Sequence, residues 1–285
     1  MDFMQRMRLW TLLAALAVTL AAVGIAACGS SSDNSTSSGG GGGSADLGLK
    51  TSGTMLIGSD IPYPPFEYGT APNYTGFDVD VMNQIAKSLG VKAQFQDTSF
   101  DSIFADLASG SFDAVASAST ITPERQQQVN FSDPYYSADQ SLVTVPGSDI
   151  KSTKDLSGKN VAVQNGTTGF IYAQDHTDAS NVQGFPQGPD VINAVKSGQV
   201  DAGIIDQPVA QDALDKTGGI VIPEIIPTGE LYGIAVPKDN TALLDAINTQ
   251  LKKMEKDGSL DKIYEKYFKI KAPKQVTNGT TKNPG

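Results

Sequence analysis

Past residue 27 the sequence contains one arginine, Arg125, and every other basic side chain there is a lysine. A planar guanidinium grips a carboxylate through two parallel hydrogen bonds, a geometry that an ammonium cannot copy. Arg125 ends the run Ser117-Ala118-Ser119-Thr120-Ile121-Thr122-Pro123-Glu124-Arg125, in which Pro123 suits the first turn of a helix. The competing reading is a surface cation at a helix start. Asp206 precedes Gln207-Pro208 and on its own reads as a helix N-cap. Together with Arg125 it makes a dipole matched to a zwitterion, guanidinium for the carboxylate and carboxylate for the ammonium. Gln164-Asn165-Gly166-Thr167-Thr168-Gly169 reads both as a capped helix start and as N–H groups and hydroxyls offered to an anion. Asp60-Ile61-Pro62-Tyr63-Pro64-Pro65-Phe66 places three prolines in four residues, a stiff loop carrying two aromatic faces. Phe100 follows a strand in the same manner. Tyr63, Phe66 and Phe100 suit a ligand site or a core.

Bringing residues 60, 125 and 206 together requires alternating strands and helices, and from about Thr51 the chain has that pattern. Short β-branched runs predict strands near 54–58, 91–96, 113–117, 142–145, 160–163, 200–205 and 233–236. Helical periodicity falls near 77–89, 102–109, 123–129, 169–176, 190–197, 208–216, 243–257 and 260–268. An internal echo runs through it at an offset of 88 residues. Ser109-Gly110-Ser111-Phe112-Asp113-Ala114 is matched by Ser197-Gly198-Gln199-Val200-Asp201-Ala202. The repeat fits generic helix–turn–strand punctuation, and also two α/β lobes of similar design, each with its own parallel sheet. In such sheets ligands bind beyond the carboxyl ends of strands, here after Ser117 and after Ile205.

The whole chain has 285 residues, 39% of them hydrophobic, enough for two ordinary domains. Its 21 Lys and Arg against 31 Asp and Glu argue against a nucleic-acid partner. One Cys excludes a disulfide framework and multi-cysteine metal sites, and one His leaves little for a His-based triad. No cofactor or metal is expected. The charge is uneven: residues 251–285 carry nine Lys against four acids, which leaves residues 28–250 strongly acidic.

Arg6 and Arg8 precede an apolar run from Leu9 to Ala27, the pattern of a secretory signal. The run is also long enough to cross a bilayer, so a retained anchor competes. Ile25-Ala26-Ala27-Cys28 resembles the lipobox of bacterial lipoproteins, which implies lipidation of Cys28 and a signal peptide over residues 1–27. Residues 28–50 then read as the lipidated Cys and a flexible Gly/Ser linker. Residues 271–285 read as a disordered tail.

Gly76-Phe77-Asp78-Val79-Asp80-Val81, with Ile85-Ala86 and Leu89 behind it, resembles the signature of the family 3 bacterial extracellular solute-binding proteins. Ile121-Thr122-Pro123-Glu124-Arg125-Gln126-Gln127 and Phe131-Ser132-Asp133-Pro134-Tyr135-Tyr136 extend the resemblance, which runs from about Thr54 to Phe268. It implies an α/β protein of the periplasmic-binding-protein type II fold, two lobes joined by a two-segment hinge. Lobe 1 would span 51–138 and 233–270, lobe 2 would span 139–232, and the crossings would lie near 138–140 and 231–233. The family serves polar amino-acid ABC importers, so a free amino acid, a permease and, through Cys28, a membrane are the implied partners of a monomer outside the cytoplasm. By the same resemblance Arg125 grips the α-carboxylate, with Thr167 and Thr168 as further donors. Asp206 takes the α-ammonium, flanked by Thr120 and the Ser117 backbone. Tyr63 and Phe100 sandwich the ligand side chain, and Asp60 and Gln164 meet its far end. The sequence departs from some relatives at Gln164 and at Ala118-Ser119. An acid at position 60 favours glutamine, arginine, lysine or histidine over glutamate or aspartate.

Two other classes compete with this reading. A dehydratase on the same fold needs a general acid in the cleft, and no spare Glu or His follows either strand end. A ligand-sensing receptor domain needs a membrane span after the second lobe, and the sequence runs to Gly285 without one. A binding protein is expected.

Replacing the lipidation candidate tests the address. Cys28→Ser is expected to release the protein from the membrane fraction or to block its maturation, read by fractionation and N-terminal mass. A variant that stays membrane-bound with its signal attached and its yield unchanged identifies a transmembrane anchor instead.

Overall fold

Thr54-Met55-Leu56-Ile57-Gly58-Ser59 forms the first strand because Met55 and Ile57 alternate toward one face and are fully buried there. The computed structural model describes residues 46–273 and residue 276. The apolar opening, Cys28, the Gly/Ser tether as far as residue 45, and residues 274–275 and 277–285 lie outside the described residues.

The chain runs β1 (Thr54–Ser59), a hairpin of β2 (Tyr68–Thr70) and β3 (Asn73–Thr75), α1 (Phe77–Ser88), β4 (Lys92–Asp97) and α2 (Ile103–Ala108). It continues through β5 (Ala114–Val115), α3 (Pro123–Gln128), β6 (Asn130–Phe131) and β7 (Tyr136–Thr144). Then come β8 (Asn160–Gln164), α4 (Thr168–His176), β9 (Asn181–Phe185), α5 (Gly188–Ser197), β10 (Ala202–Asp206) and α6 (Gln207–Thr217). β11 (Val221–Tyr232), β12 (Ala235–Val236), α7 (Thr241–Asp257) and α8 (Ser259–Phe268) complete it.

Two five-stranded sheets result, in the orders β4-β1-β5-β12-β6 and β11-β7-β10-β8-β9. Neither is purely parallel, contrary to the expectation from the sequence. β1 is parallel to β4 and β5, but β12 is antiparallel to β5 and β6. In the second sheet β8, β9 and β10 are parallel, while β7 runs antiparallel to β10 and β11. The cause is the traffic between sheets. β7 carries the chain out of the first sheet's neighbourhood and β11 brings it back, paired Tyr136↔Tyr232, Ser137↔Leu231 and Ala138↔Glu230. The expected crossing segments lie within or at the end of these paired strands.

The internal echo has a structural meaning. Gly110 and Gly198 both turn with positive φ, 81° and 72°, after their helices. Asp113 and Asp201 then tie the start of each strand to its neighbour: the Asp113 carboxylate accepts the Leu56 N–H at 2.7 Å, and that of Asp201 accepts the Asn160 N–H at 2.8 Å.

β9, β11, β6 and the β2–β3 hairpin escaped the sequence pattern. β9 reads Asn-Val-Gln-Gly-Phe, half-buried at a sheet edge, and β11 carries Pro223, Pro227 and register shifts that an edge strand tolerates. The body also begins before residue 51, correcting the linker boundary. Leu47 and Leu49 pack on the main core, and the Lys50 N–H donates to Asp113 at 2.8 Å. Beyond Ile270 the Ala272 N–H donates to Asp261 at 3.0 Å, and Val276 is buried.

The family-like motif closes the first core. Phe77 meets Tyr264 edge-on at 4.9 Å and Phe268 at 5.1 Å, which docks α8 on α1. Phe66 is fully buried among Phe77, Tyr136 and Tyr232, so it is core. The first N–H groups of α1 donate to the Pro65 and Phe66 carbonyls, both at 3.0 Å. That close approach requires Gly76, whose φ is 141° and whose added Cβ would lie 1.9 Å from the Phe66 carbonyl oxygen. Gly76→Ala is expected to destabilise the fold by at least about 2 kcal/mol, read from the urea midpoint. A change within about 0.5 kcal/mol would show the loop yields without cost.

Candidate functional site

The carboxyl ends of β1, β5, β8 and β10 converge on one narrow pocket. All ten candidates from the sequence line it: Asp60 and Tyr63 after β1, Phe100 before α2, Ser117 and Thr120 after β5, and Arg125 in α3 from the first sheet's side. Gln164 ending β8, Thr167 and Thr168 opening α4, and Asp206 ending β10 come from the second. Ala118 joins them, with a φ of 43° that is rare for a residue with a Cβ.

Arg125 is only 8% exposed, which excludes the surface-cation reading. Thr122 caps α3 by accepting the Arg125 N–H, fixing the turn that aims the side chain inward. One terminal nitrogen donates to the Thr120 carbonyl at 2.8 Å and the other to the Gly166 carbonyl at 3.0 Å. The guanidinium carbon lies over Phe100 at 5.1 Å and Phe104 at 4.8 Å. Phe100 thus packs against the cation. No carboxylate forms an ion pair with Arg125 among the described residues. Burial lowers its pKa to about 10, countered by Glu230 and Asp206, so it stays charged near neutrality.

Asp206 does not cap its helix, against the default reading. Its carboxylate accepts Gln140 Nε2 at 2.5 Å, the Tyr232 hydroxyl at 2.6 Å and the Tyr63 hydroxyl at 2.9 Å. Burial, then Glu230, pushes its pKa up to about 6 despite these donors. Asp60 accepts Gln164 Nε2 at 2.5 Å, and burial raises its pKa to about 7. Tyr63–Asp206, Asp60–Gln164 and Arg125–Gly166 all join residues from the two sheets. Gly188 permits this approach, since a Cβ there would stand 2.5 Å from the Tyr63 ring.

The hydroxyls differ from expectation. Thr167 caps α4, accepting the Phe170 N–H and donating to the Gln164 carbonyl at 2.8 Å. Thr168 donates to Glu230 at 2.7 Å. Neither hydroxyl keeps its proton for an anion in the cavity, which leaves the backbone N–H groups at the start of α4 for that task. Thr120 likewise donates to Glu230, at 2.5 Å. Ser117 Oγ donates to Glu67 at 2.7 Å and accepts the Asp60 N–H at 2.9 Å.

Sequence reasoning missed the acids behind the cavity. Glu67 and Asp78 are fully buried, and Glu230 nearly so. Asp78 accepts the Ala118 N–H at 2.8 Å and the Tyr135 hydroxyl at 2.7 Å, and burial raises it to about 7. Burial and Asp78 hold Glu67 well above the usual carboxylate range. Neither Glu67, from a loop, nor Glu230, from β11, lines the cavity; they hold its lining hydroxyls Ser117, Thr120 and Thr168 from behind. Asp78 was visible inside the Gly-Phe-Asp motif, whereas Glu67 and Glu230 had no pattern to mark them.

Comparison with known proteins gives the same picture. Residues 55–270 match the bacterial extracellular solute-binding proteins, family 3. The chain is 37% identical over 222 residues to the arginine-binding extracellular protein ArtP of Bacillus subtilis (strain 168), covering 75% of this chain and 86% of that protein. It is 34% identical over 236 residues to the L-cystine-binding protein TcyJ of Escherichia coli (strain K12), covering 79% and 87%. Among solved structures it resembles an ancestral arginine-binding protein bound to arginine, with a TM-score of 0.72, 42% identity, and coverage of 76% of this chain and 98% of that one. The two mixed sheets, the shared cavity and these matches establish that the chain belongs to the family 3 bacterial extracellular solute-binding proteins, with the type II periplasmic-binding fold.

Proposed function

We propose that the chain is the extracytoplasmic binding component of an ABC importer, capturing a free polar or basic L-amino acid between two lobes and presenting it to a permease. One observation carries this reading: Arg125, buried and without an ion-pair partner among the described residues, lines a cavity that Asp206 also lines. A zwitterion completes both. Its carboxylate would take the remaining guanidinium N–H groups and the backbone of α4, and its ammonium would take Asp206 and Thr120. Each charge-assisted bond contributes about 1.5–3 kcal/mol. Because the two groups come from different sheets, the ligand would favour the closed arrangement by hinge motion at β7 and β11. The lobe boundaries near 138 and 233, and the Cys28 anchor, belong to the same proposal.

Asp60 and Gln164 set the side-chain preference. At an effective dielectric of about 20, like charges 4 Å apart cost about 4 kcal/mol, which disfavours a second carboxylate beside an ionised Asp60. Near pH 7 Asp60 is half protonated, so the penalty is full only above that pH. A lyase on this scaffold is the second reading, since Asp60 could give a proton at neutral pH. Product formation from prephenate or arogenate would decide for it.

Arg125→Lys is expected to abolish measurable amino-acid binding by calorimetry while the melting temperature stays within a few degrees. Affinity within about threefold of the wild type would overturn the carboxylate assignment. In competition at pH 8, arginine or glutamine should displace glutamate from the wild type, and Asp60→Asn should narrow the gap. Glutamate winning would refute the assignment, and an unchanged gap would leave Asp60 structural.

The pH dependence has a definite sign. A bound cation needs Asp206 ionised, and acidification through its value of about 6 removes that charge. Affinity for glutamine should fall about tenfold from pH 7 to pH 5 by linkage. Arginine, whose guanidinium would also need Asp60, should fall by more than a further tenfold. Equal slopes for the two ligands would separate Asp60 from the side-chain site.

A further inference from the structure

We propose that Glu230 fixes the hydrogen-bond polarity of the ammonium end of the cleft, and so decides that a donor-only group is accepted there; the inference rests on the amino-acid reading above. Glu230 lies on β11, 7% exposed. Its Oε2 accepts the hydroxyls of Thr120 at 2.5 Å and Thr168 at 2.7 Å. Its Oε1 accepts Gln140 Nε2 at 2.9 Å and the Thr228 hydroxyl at 3.1 Å. Two carboxylate oxygens offer about four acceptor positions, and this chain fills them all.

A hydroxyl has one proton. Thr120 and Thr168 line the cavity, yet both protons point to Glu230, so both oxygens can only accept from a ligand. The same Gln140 amide nitrogen also donates to Asp206 at 2.5 Å, which couples the two acids through one side chain. The resulting wall at the ammonium end presents Thr120 Oγ1 and the Asp206 carboxylate, acceptors throughout, while Thr168, at the start of α4, spends its proton on the same Glu230 oxygen. An ammonium brings three N–H donors and no lone pair. A hydroxyl in its place brings one donor, and its own lone pairs face oxygens that cannot donate. Glu230 is a positioning residue in this scheme, because it acts through the threonines.

Its removal has a consequence that a strut would not produce. Glu230→Gln keeps the shape but places an N–H₂ where two hydroxyls donate, so at least one threonine must turn its proton elsewhere, toward the cavity. Calorimetry at pH 7.5 would compare L-arginine and L-glutamine, each with its α-hydroxy acid counterpart, on wild type and Glu230→Gln. The wild type is expected to prefer the amino acid, and the variant to lose about ten- to hundredfold of that preference. Should Glu230→Gln fail to fold, Glu230→Asp serves. Its shorter carboxylate reaches only part of the set and should give a smaller loss in the same direction. An unchanged preference ratio, whatever happens to affinity, overturns the role of Glu230 alone. Absence of binding by the wild type to every amino acid overturns the functional reading on which it rests.

Discussion

A guanidinium withdrawn from water without a carboxylate against it is the constraint to which this architecture answers. Transferring such an ion to a protein interior costs several kcal/mol even after relaxation. The chain offsets the cost in pieces. Two carbonyls accept from Arg125, Phe100 and Phe104 offer their ring faces, and Glu230 and Asp206 supply negative potential without forming a pair. Cation–π contacts of this kind contribute about 0.5–2 kcal/mol each. An acid in direct contact would hold the cation more firmly and leave it nothing to do. Holding it through carbonyls and rings keeps its charge unspent.

The acid side is arranged from the crossing strands. Gln140 lies on β7, Glu230 and Tyr232 on β11, and all three reach Asp206 directly or through one another. These are the strands whose antiparallel pairing makes both sheets mixed. The Asp206 side of the cavity is therefore built on the connection between sheets, so a change in their crossing would move Asp206's partners with it. Arg125, in contrast, sits on α3 at the edge of the first sheet, where the Gly166 carbonyl of the second reaches it.

Much of the cavity was legible in the sequence because strand ends carry short motifs. A lone arginine behind Thr-Pro-Glu, an aspartate ending an apolar strand and a proline-stiffened aromatic loop are all local signals. The echoed Ser-Gly turns also reported real geometry, down to the aspartates that staple adjacent strands. What remained hidden is non-local. β11 has prolines and no clean alternation, and its role comes from pairing with residues about ninety positions earlier in the chain. Glu230 inherits that opacity. Asp206 kept two readings in the sequence for a related reason: its neighbours argue for a cap, and only Tyr63, Gln140 and Tyr232, distant in sequence, take the carboxylate elsewhere.

The buried acids set stability and binding against each other. Asp60, Asp78 and Asp206 hold protons in the folded chain up to about 7, 7 and 6, whereas an unfolded chain gives them up near 3.8. A raised carboxyl pKa contributes stability that is complete below the unfolded value and is lost as pH climbs through the folded one. Between about pH 4 and 7 the fold therefore gives up stability as its cleft charges. Above that window the interior carries anions that water no longer solvates. A cation entering the cleft changes the balance, because an opposite charge within a few ångströms favours the ionised form. Asp60 and Asp206, which line the cavity, are the groups that a cation there would relieve, so binding a cationic ligand would gain from the repulsion it removes as well as from the bonds it makes.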